Sequence, residues 1–157
     1  MNQAREILSE KNWGLLDVEF IQISATHRCI RKLYILAENG FTDLEMELYP
    51  CVRYKHLEGR YQRSFRFCRN HIHHLTYNPI YHSLECKSAL AALNEFIVQN
   101  NIELILYKGG TVERDICTEL CIDSLNIECF EVLEKAFSHD PCVEVHTYYS
   151  QLMKLLY

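Results

Sequence analysis

Glycine and proline are scarce, five and three residues in 157, which excludes a collagenous, linker-rich or low-complexity chain. Long apolar runs are also missing. The longest are a few residues, as in Ile102 to Tyr107 around Glu103, far short of the roughly 20 a membrane helix requires. The first residues, Met1-Asn2-Gln3-Ala4-Arg5-Glu6, carry no apolar stretch of the secretory kind, so the reading is a non-membrane, intracellular protein, cytoplasmic or nuclear. No two cysteines form a Cys-x2-Cys pair: Cys29, Cys51, Cys68, Cys86, Cys117, Cys121, Cys129 and Cys142 are dispersed, against a disulfide framework. In a reducing compartment most of them read as free thiols filling the core.

What is present is a globular composition, 48% hydrophobic and 24% charged, at a length suited to one domain spanning 1–157. The net charge of −5 is unevenly spread. Between Val52 and His71 six basic residues, Arg53, Lys55, Arg60, Arg63, Arg66 and Arg69, face one acid, Glu58. The remaining ten basic residues meet twenty acids elsewhere, so one positive surface on an acidic body is expected. Tyr54, Tyr61, Phe65 and Phe67 interleave the arginines, as phosphate contact with base stacking would require. An arginine-protected edge strand is the competing reading.

Leu15 to Ser24 alternates from Val18 onward and reads as a strand, Arg31 to Ala37 as a second. Asn39-Gly40 then turns a hairpin into a third strand over Leu44 to Tyr54. From Ser83, a candidate N-cap, apolar residues recur at helical spacing as far as Asn100-Asn101. Ile102 to Tyr107 is a short strand, Val112 to Cys121 a helix capped by Thr111, Leu125 to Phe130 a strand, and Pro141 to Tyr157 a last helix. The order β-β-β-α-β-α-β-α gives an α/β fold: three antiparallel strands, then αβαβα, in one mixed five-stranded sheet flanked by helices. Leu15, Val18, Phe20, Ile35, Leu93, Phe96, Leu104, Leu106, Ile127 and Leu152 are expected to share its core.

Four motifs lie along this order. Asp17-Val18-Glu19 puts two carboxylates on one face of the first strand. Ile72-His73-His74-Leu75-Thr76 follows the basic segment. Lys108-Gly109-Gly110-Thr111-Val112-Glu113-Arg114-Asp115-Ile116-Cys117-Thr118-Glu119-Leu120 spans a strand-to-helix turn, and His139-x4-Glu144 opens the last helix. Together they resemble the ribonuclease H-like fold and, within it, the proofreading-type 3′-to-5′ exonuclease superfamily, whose catalytic set is four acids and a histidine. His74 stands where the family has glycine, and Glu113 and Glu144 where it has aspartate, Asp115 being a second candidate near Glu113. The resemblance implies that Asp17, Glu19, Glu113 and Glu144 hold two Mg²⁺ or Mn²⁺ ions about 3.5–4 Å apart, with His139 as general base. It also implies a single-stranded nucleic-acid 3′ end, RNA or DNA, as substrate, contacted by the segment of His73 and His74, while the basic stretch offers Arg53, Arg63, Arg66 and Arg69 for its phosphates. The alternative is a catalytically silent nucleic-acid- or protein-binding module of the same fold. Cys68-x2-His71 and Cys142-x3-His146 have ligand-like spacing, so a Cys2His2 zinc that stabilises such a module is a further alternative.

Overall fold

The computed structural model describes residues 2–75, 77, 85–127, 149–150 and 152–154. Its sheet has five strands in the order β3-β2-β1-β4-β5. β1 (Trp13–Gln22) pairs antiparallel with β2 (Arg28–Ala37), and β2 antiparallel with β3 (Asp43–Glu47). β1 also pairs in parallel with β4 (Leu104–Tyr107), which pairs in parallel with β5 (Asp123–Asn126). The expected mixed sheet is therefore present. Among the described residues the helical elements include α1 (Asn2–Glu10), a short 3₁₀ turn at Tyr54–His56, α2 (Gly59–His71), α3 (Cys86–Gln99) and α4 (Thr111–Glu119).

Alternation along β1 sorts the core into two layers rather than one. Leu16 and Val18 join Leu33, Ile35 and Met46 beneath α3 and α4, where Leu93, Phe96, Val112, Ile116 and Cys117 pack, with Phe20 at the margin. Trp13 and Leu15 point the other way, to Leu8 of α1, Leu36, Leu104, Leu106, Ile127 and Leu152. A third cluster under α2 joins Ile21 and Cys29 to Leu57, Tyr61, Phe65 and Tyr77. Of the ten expected core residues all are buried except Phe20, but they divide between the two faces of the sheet.

The hairpin from β2 to β3 forms with a different turn. Gly40 has φ +77° and Asn39 is not left-handed, so the loop is longer than a two-residue Asn-Gly turn. Ala37 N–H donates to Thr42 O (2.8 Å), and Asn39 Oδ1 accepts from Phe41 and Thr42 N–H. A Cβ on Gly40 would come within 2.8 Å of the Tyr149 ring, whose hydroxyl donates to Glu38 O at 2.6 Å.

Several sequence expectations change. β3 ends at Glu47 rather than Tyr54, and the basic segment beyond it is helix α2, not an edge strand. Tyr61 and Phe65, one helical turn apart, supply its buried face. α3 begins at Cys86 with Glu85 in the N-cap position; Ser83 lies outside the described residues. Gly110, not Thr111, occupies the N-cap of α4, and β5 starts two residues earlier than expected. Of the six described cysteines, all free, only Cys29 and Cys117 are buried, so the core reading holds for a minority. Among the described residues no helix is long and apolar enough to cross a membrane.

Candidate functional site

β1 and β4 are paired only from Trp13 to Leu15, opposite Leu104 to Leu106. Beyond Leu15 that ladder ends, and the first turn of α4 brings a carboxylate to β1 at this point. The Val18 N–H lies close enough to both the Asp17 and the Glu113 carboxylates to lower their proton affinity. Asp17 and Glu19 stand on one face of the strand, opposite Tyr34 and Lys32 of β2. Immediately after Glu19 the register slips: Glu19 faces Lys32 and Phe20 faces Ile30, leaving Arg31 as the extra residue of a bulge. Such an irregularity ends the regular pleat beside the two acids.

Glu113 is the least expected member. It is only 6% exposed, although a glutamate in a first helical turn ordinarily faces water. Gly110 makes this possible: a Cβ there would lie 2.5 Å from Glu113 Oε2. The carboxylate thus occupies space that any other residue at the N-cap would fill. Its Oε2 atom is buried without a hydrogen-bond partner, an arrangement that costs free energy unless something compensates it.

The electrostatics follow from this crowding. Burial raises the Asp17 carboxyl above its ordinary range, with Lys32 opposing the shift. Glu19 is pushed up to about 7, first by burial and then by Asp17 and Glu113, again against Lys32. Glu113 is also pushed up to about 7 by burial and Asp17, with its own and Val18 N–H and Arg28 opposing. Asp17 thus raises the proton affinity of both glutamates, and Glu113 that of Glu19. Lys32 is itself held by Glu45 at 2.6 Å, and Arg28 donates to Thr111 Oγ1 at 2.6 Å.

The remaining candidates are distributed unevenly. His139 and Glu144, and Cys142 and His146 of the zinc alternative, lie outside the described residues. Asp115 is exposed and 3.8 Å from Arg114, away from the burial that marks Glu113. Cys68 is half-buried on α2, and burial, with Glu19 adding to it, raises its thiol pKa, while His71 is exposed with its ring 4.7 Å from that of Phe67. Among the described residues no three His, Cys, Asp or Glu side chains are grouped so as to hold a metal ion.

The basic surface is real in sequence but differently built. Arg60, Arg63, Arg66 and Arg69 recur every third residue, so they cross the outer side of α2 diagonally, about 60° per step. All four are exposed, as is Arg53 in the loop before the 3₁₀ turn. Of the four interleaved aromatics only Phe67, 58% exposed, is open to solvent. Tyr61 and Phe65 are core residues and Tyr54 packs edge-on against Phe65. Stacking by the whole aromatic set is therefore unavailable.

The two histidines after α2 part company. His73 turns inward, 5.8 Å from the Phe65 ring, its Nδ1 accepting from Leu75 N–H at 3.0 Å. Burial and the neighbouring Arg31 and His74 lower its pKa to about 4, so it is neutral near pH 7 and is not a cationic phosphate contact. His74 is exposed and takes φ +56°, the left-handed conformation for which the resembling family has glycine.

Lys32, Arg28, Gly110 and the Val18 N–H were not legible as site components beforehand. A hint lay in Gly109-Gly110, since a glycine just before a helix permits close approach. No protein-family model matches the chain, and no curated protein matches it.

Proposed function

We propose that the protein is a metal-dependent 3′-to-5′ exonuclease-like nuclease of ribonuclease H-like fold, acting on a single-stranded RNA or DNA end. The observation that carries this reading is the Glu113 carboxylate, buried with an unpartnered oxygen and brought by α4 to the strand that bears Asp17 and Glu19. The strand order and the αβαβ succession after the meander support the fold assignment.

The donors fit a hard divalent cation in kind. They are carboxylates, they carry excess negative charge, and a cation would compensate the buried oxygen that no protein group satisfies. When bound, Mg²⁺ or Mn²⁺ supplies an activated water and neutralises charge on the leaving oxygen. Asp17, Glu19 and Glu113, not grouped as a ligand set as they stand, would have to draw together to hold the ions, with Glu144 as fourth acid and His139 accepting the proton of the attacking water. Val18 N–H favours the ionised form of two of the carboxylates. Arg63, Arg66 and Arg69 would neutralise phosphates without reading bases.

The test is release of nucleotides from end-labelled single-stranded RNA and DNA with Mg²⁺, Mn²⁺ or chelator. Metal-dependent shortening from the 3′ end is expected; no release under any metal overturns catalysis and leaves a silent binding module. Replacing Arg63, Arg66 and Arg69 together by Ala should weaken binding across sequences. The log–log salt dependence should flatten by roughly one unit per lost phosphate contact. An unchanged slope would assign the arginines to solvation alone.

His74→Gly provides a separate check. Relief of the left-handed strain, partly offset by glycine's unfolded-state freedom, should stabilise the fold by up to about 1 kcal/mol, or roughly 2–4 °C in Tm. If the His74 ring contacts phosphate, the same variant binds nucleic acid more weakly while melting higher. Equal affinity removes His74 from the interface.

A further inference from the structure

Away from the acidic site, two cysteines far apart in sequence meet where β2 begins. Cys51 N–H donates to Cys29 Sγ at 3.1 Å across a separation of 22 residues. One N–Cα bond adds about 1.5 Å, so the Cys51 Cα lies at most about 4.6 Å from that sulfur. That leaves the Cys51 Cβ and thiol within reach of a disulfide, whose S–S bond is about 2.05 Å and whose Cα atoms stand about 4.4–6.8 Å apart. The two thiols are also close enough to influence each other electrostatically. Their environments are opposite: Cys29 is buried against the Tyr61, Phe65 and Tyr77 cluster, whereas Cys51 is exposed to solvent.

We propose that Cys29 and Cys51 are a reversible oxidation site, closed to an intramolecular disulfide by a peroxide. The exposed Cys51 thiolate attacks one peroxide oxygen, the O–O bond breaks, and Cys51 becomes a sulfenic acid as hydroxide leaves and takes a proton to form water. The Cys29 sulfur then displaces the sulfenic oxygen, forming the S–S bond. The departing oxygen takes up the Cys29 proton and leaves as a second water. Two thiols lose two electrons and two protons, and one peroxide is reduced to two waters. A dithiol reductant reverses the step.

The position gives the bond a structural consequence. Cys51 lies in the connection from β3 to α2, and its neighbour Val52 accepts a hydrogen bond from the Tyr77 hydroxyl. Val52 and Tyr54 pack on the same cluster as Cys29. Oxidation would thus tie the segment carrying Arg53 and Lys55 to the first residues of β2. Cys86, exposed at the start of α3, is the competing partner because Cys51 lies near enough to influence it electrostatically.

The full chain is treated with hydrogen peroxide in the folded state, alkylated, digested without reduction and mapped by mass spectrometry. A linked pair of peptides containing Cys29 and Cys51, 2 Da lighter than the two thiols, is expected. It should persist in Cys86→Ser, vanish in Cys51→Ser and revert with dithiothreitol. Closing this loop should raise Tm by about 5–10 °C relative to the reduced protein. A Cys51–Cys86 link, or Cys51 overoxidised while Cys29 remains alkylatable, overturns the proposal. Because the map is read on the wild-type chain, it holds even if Cys29→Ala fails to fold.

Discussion

Asp17→Asn should lower metal-dependent nucleotide release by on the order of 10³-fold or more while leaving the melting temperature unchanged or higher. The two halves of this expectation come from the same environment. Asp17 is desolvated on β1, which holds its proton affinity above the ordinary carboxyl value. A group whose folded pKa is raised makes the ionised folded state less stable at neutral pH, so neutralising it relieves the fold. Asparagine keeps the side chain's shape and an oxygen near the Val18 N–H. It cannot supply the charge that attracts a divalent cation. Activity and stability therefore move apart, which a merely damaged fold would not do. Release assays on the purified variant, paired with thermal melts, check this. Wild-type rates from Asp17→Asn would mean that the measured activity belongs elsewhere.

The parts of the molecule legible in sequence are those where period and turn chemistry agree. Asp17 and Glu19 stand on one strand face because side chains alternate, and β4 is visible as an apolar run closed by Gly109-Gly110. α3 was legible because Leu90, Ala91, Leu93, Phe96 and Ile97 recur at helical spacing; Leu93, Phe96 and Ile97 are buried, Leu90 is half-buried and Ala91 faces solvent. α2 was not. Its Phe65 and Phe67 mimic strand alternation, whereas the buried pair is Tyr61 and Phe65, four apart. α1 offers little apolar signal beyond Ile7 and Leu8, and Leu8 takes its burial from Trp13 and Leu36, which no local reading supplies. β5, with Asp123, Ser124 and Asn126, is weakly apolar and owes its strand form to pairing with β4. Asn126 adds to that junction by exchanging hydrogen bonds with the Gly109 backbone.

The site shows the same division. A strand Asp-x-Glu is visible, but burial of Glu113 is a tertiary fact, created by a missing side chain at Gly110 and by the early end of the β1–β4 ladder. Lys32 became a site component only through the register that places it opposite Glu19. Sequence spacing gave the acids; the sheet supplied their neighbours.

Glu113→Gln should stabilise the protein at pH 8 and remove part of its pH dependence, because Glu113 is ionised there against the preference of the fold. At pH well below 4.5 the folded and unfolded chains both keep this proton. As pH rises from about 4.5 toward about 7 the unfolded chain releases it while the folded chain still holds it, so stability falls across that window. Above about 7 both forms are ionised and the penalty is constant. Glutamine carries no such charge, and a gain of about 1–3 kcal/mol at pH 8, fading toward pH 4, is the expected result. A bound divalent cation would offset the same penalty. Mg²⁺ or Mn²⁺ should therefore raise the wild-type Tm more at pH 8 than at pH 5.5, and should do so much less in Glu113→Gln. Gly110→Ala addresses the cradle, since its Cβ would meet Oε2 at 2.5 Å and displace the carboxylate without changing its charge. Glu113→Asp shortens the reach instead, and withdraws the carboxylate from Gly110. If the longer side chain is fitted to this backbone, both variants weaken the cation's effect on Tm; if Glu113→Asp strengthens it, the glutamate marks a decayed site. A wild-type Tm indifferent to both cations at pH 8 would leave the buried oxygen uncompensated and remove the metal from the reading.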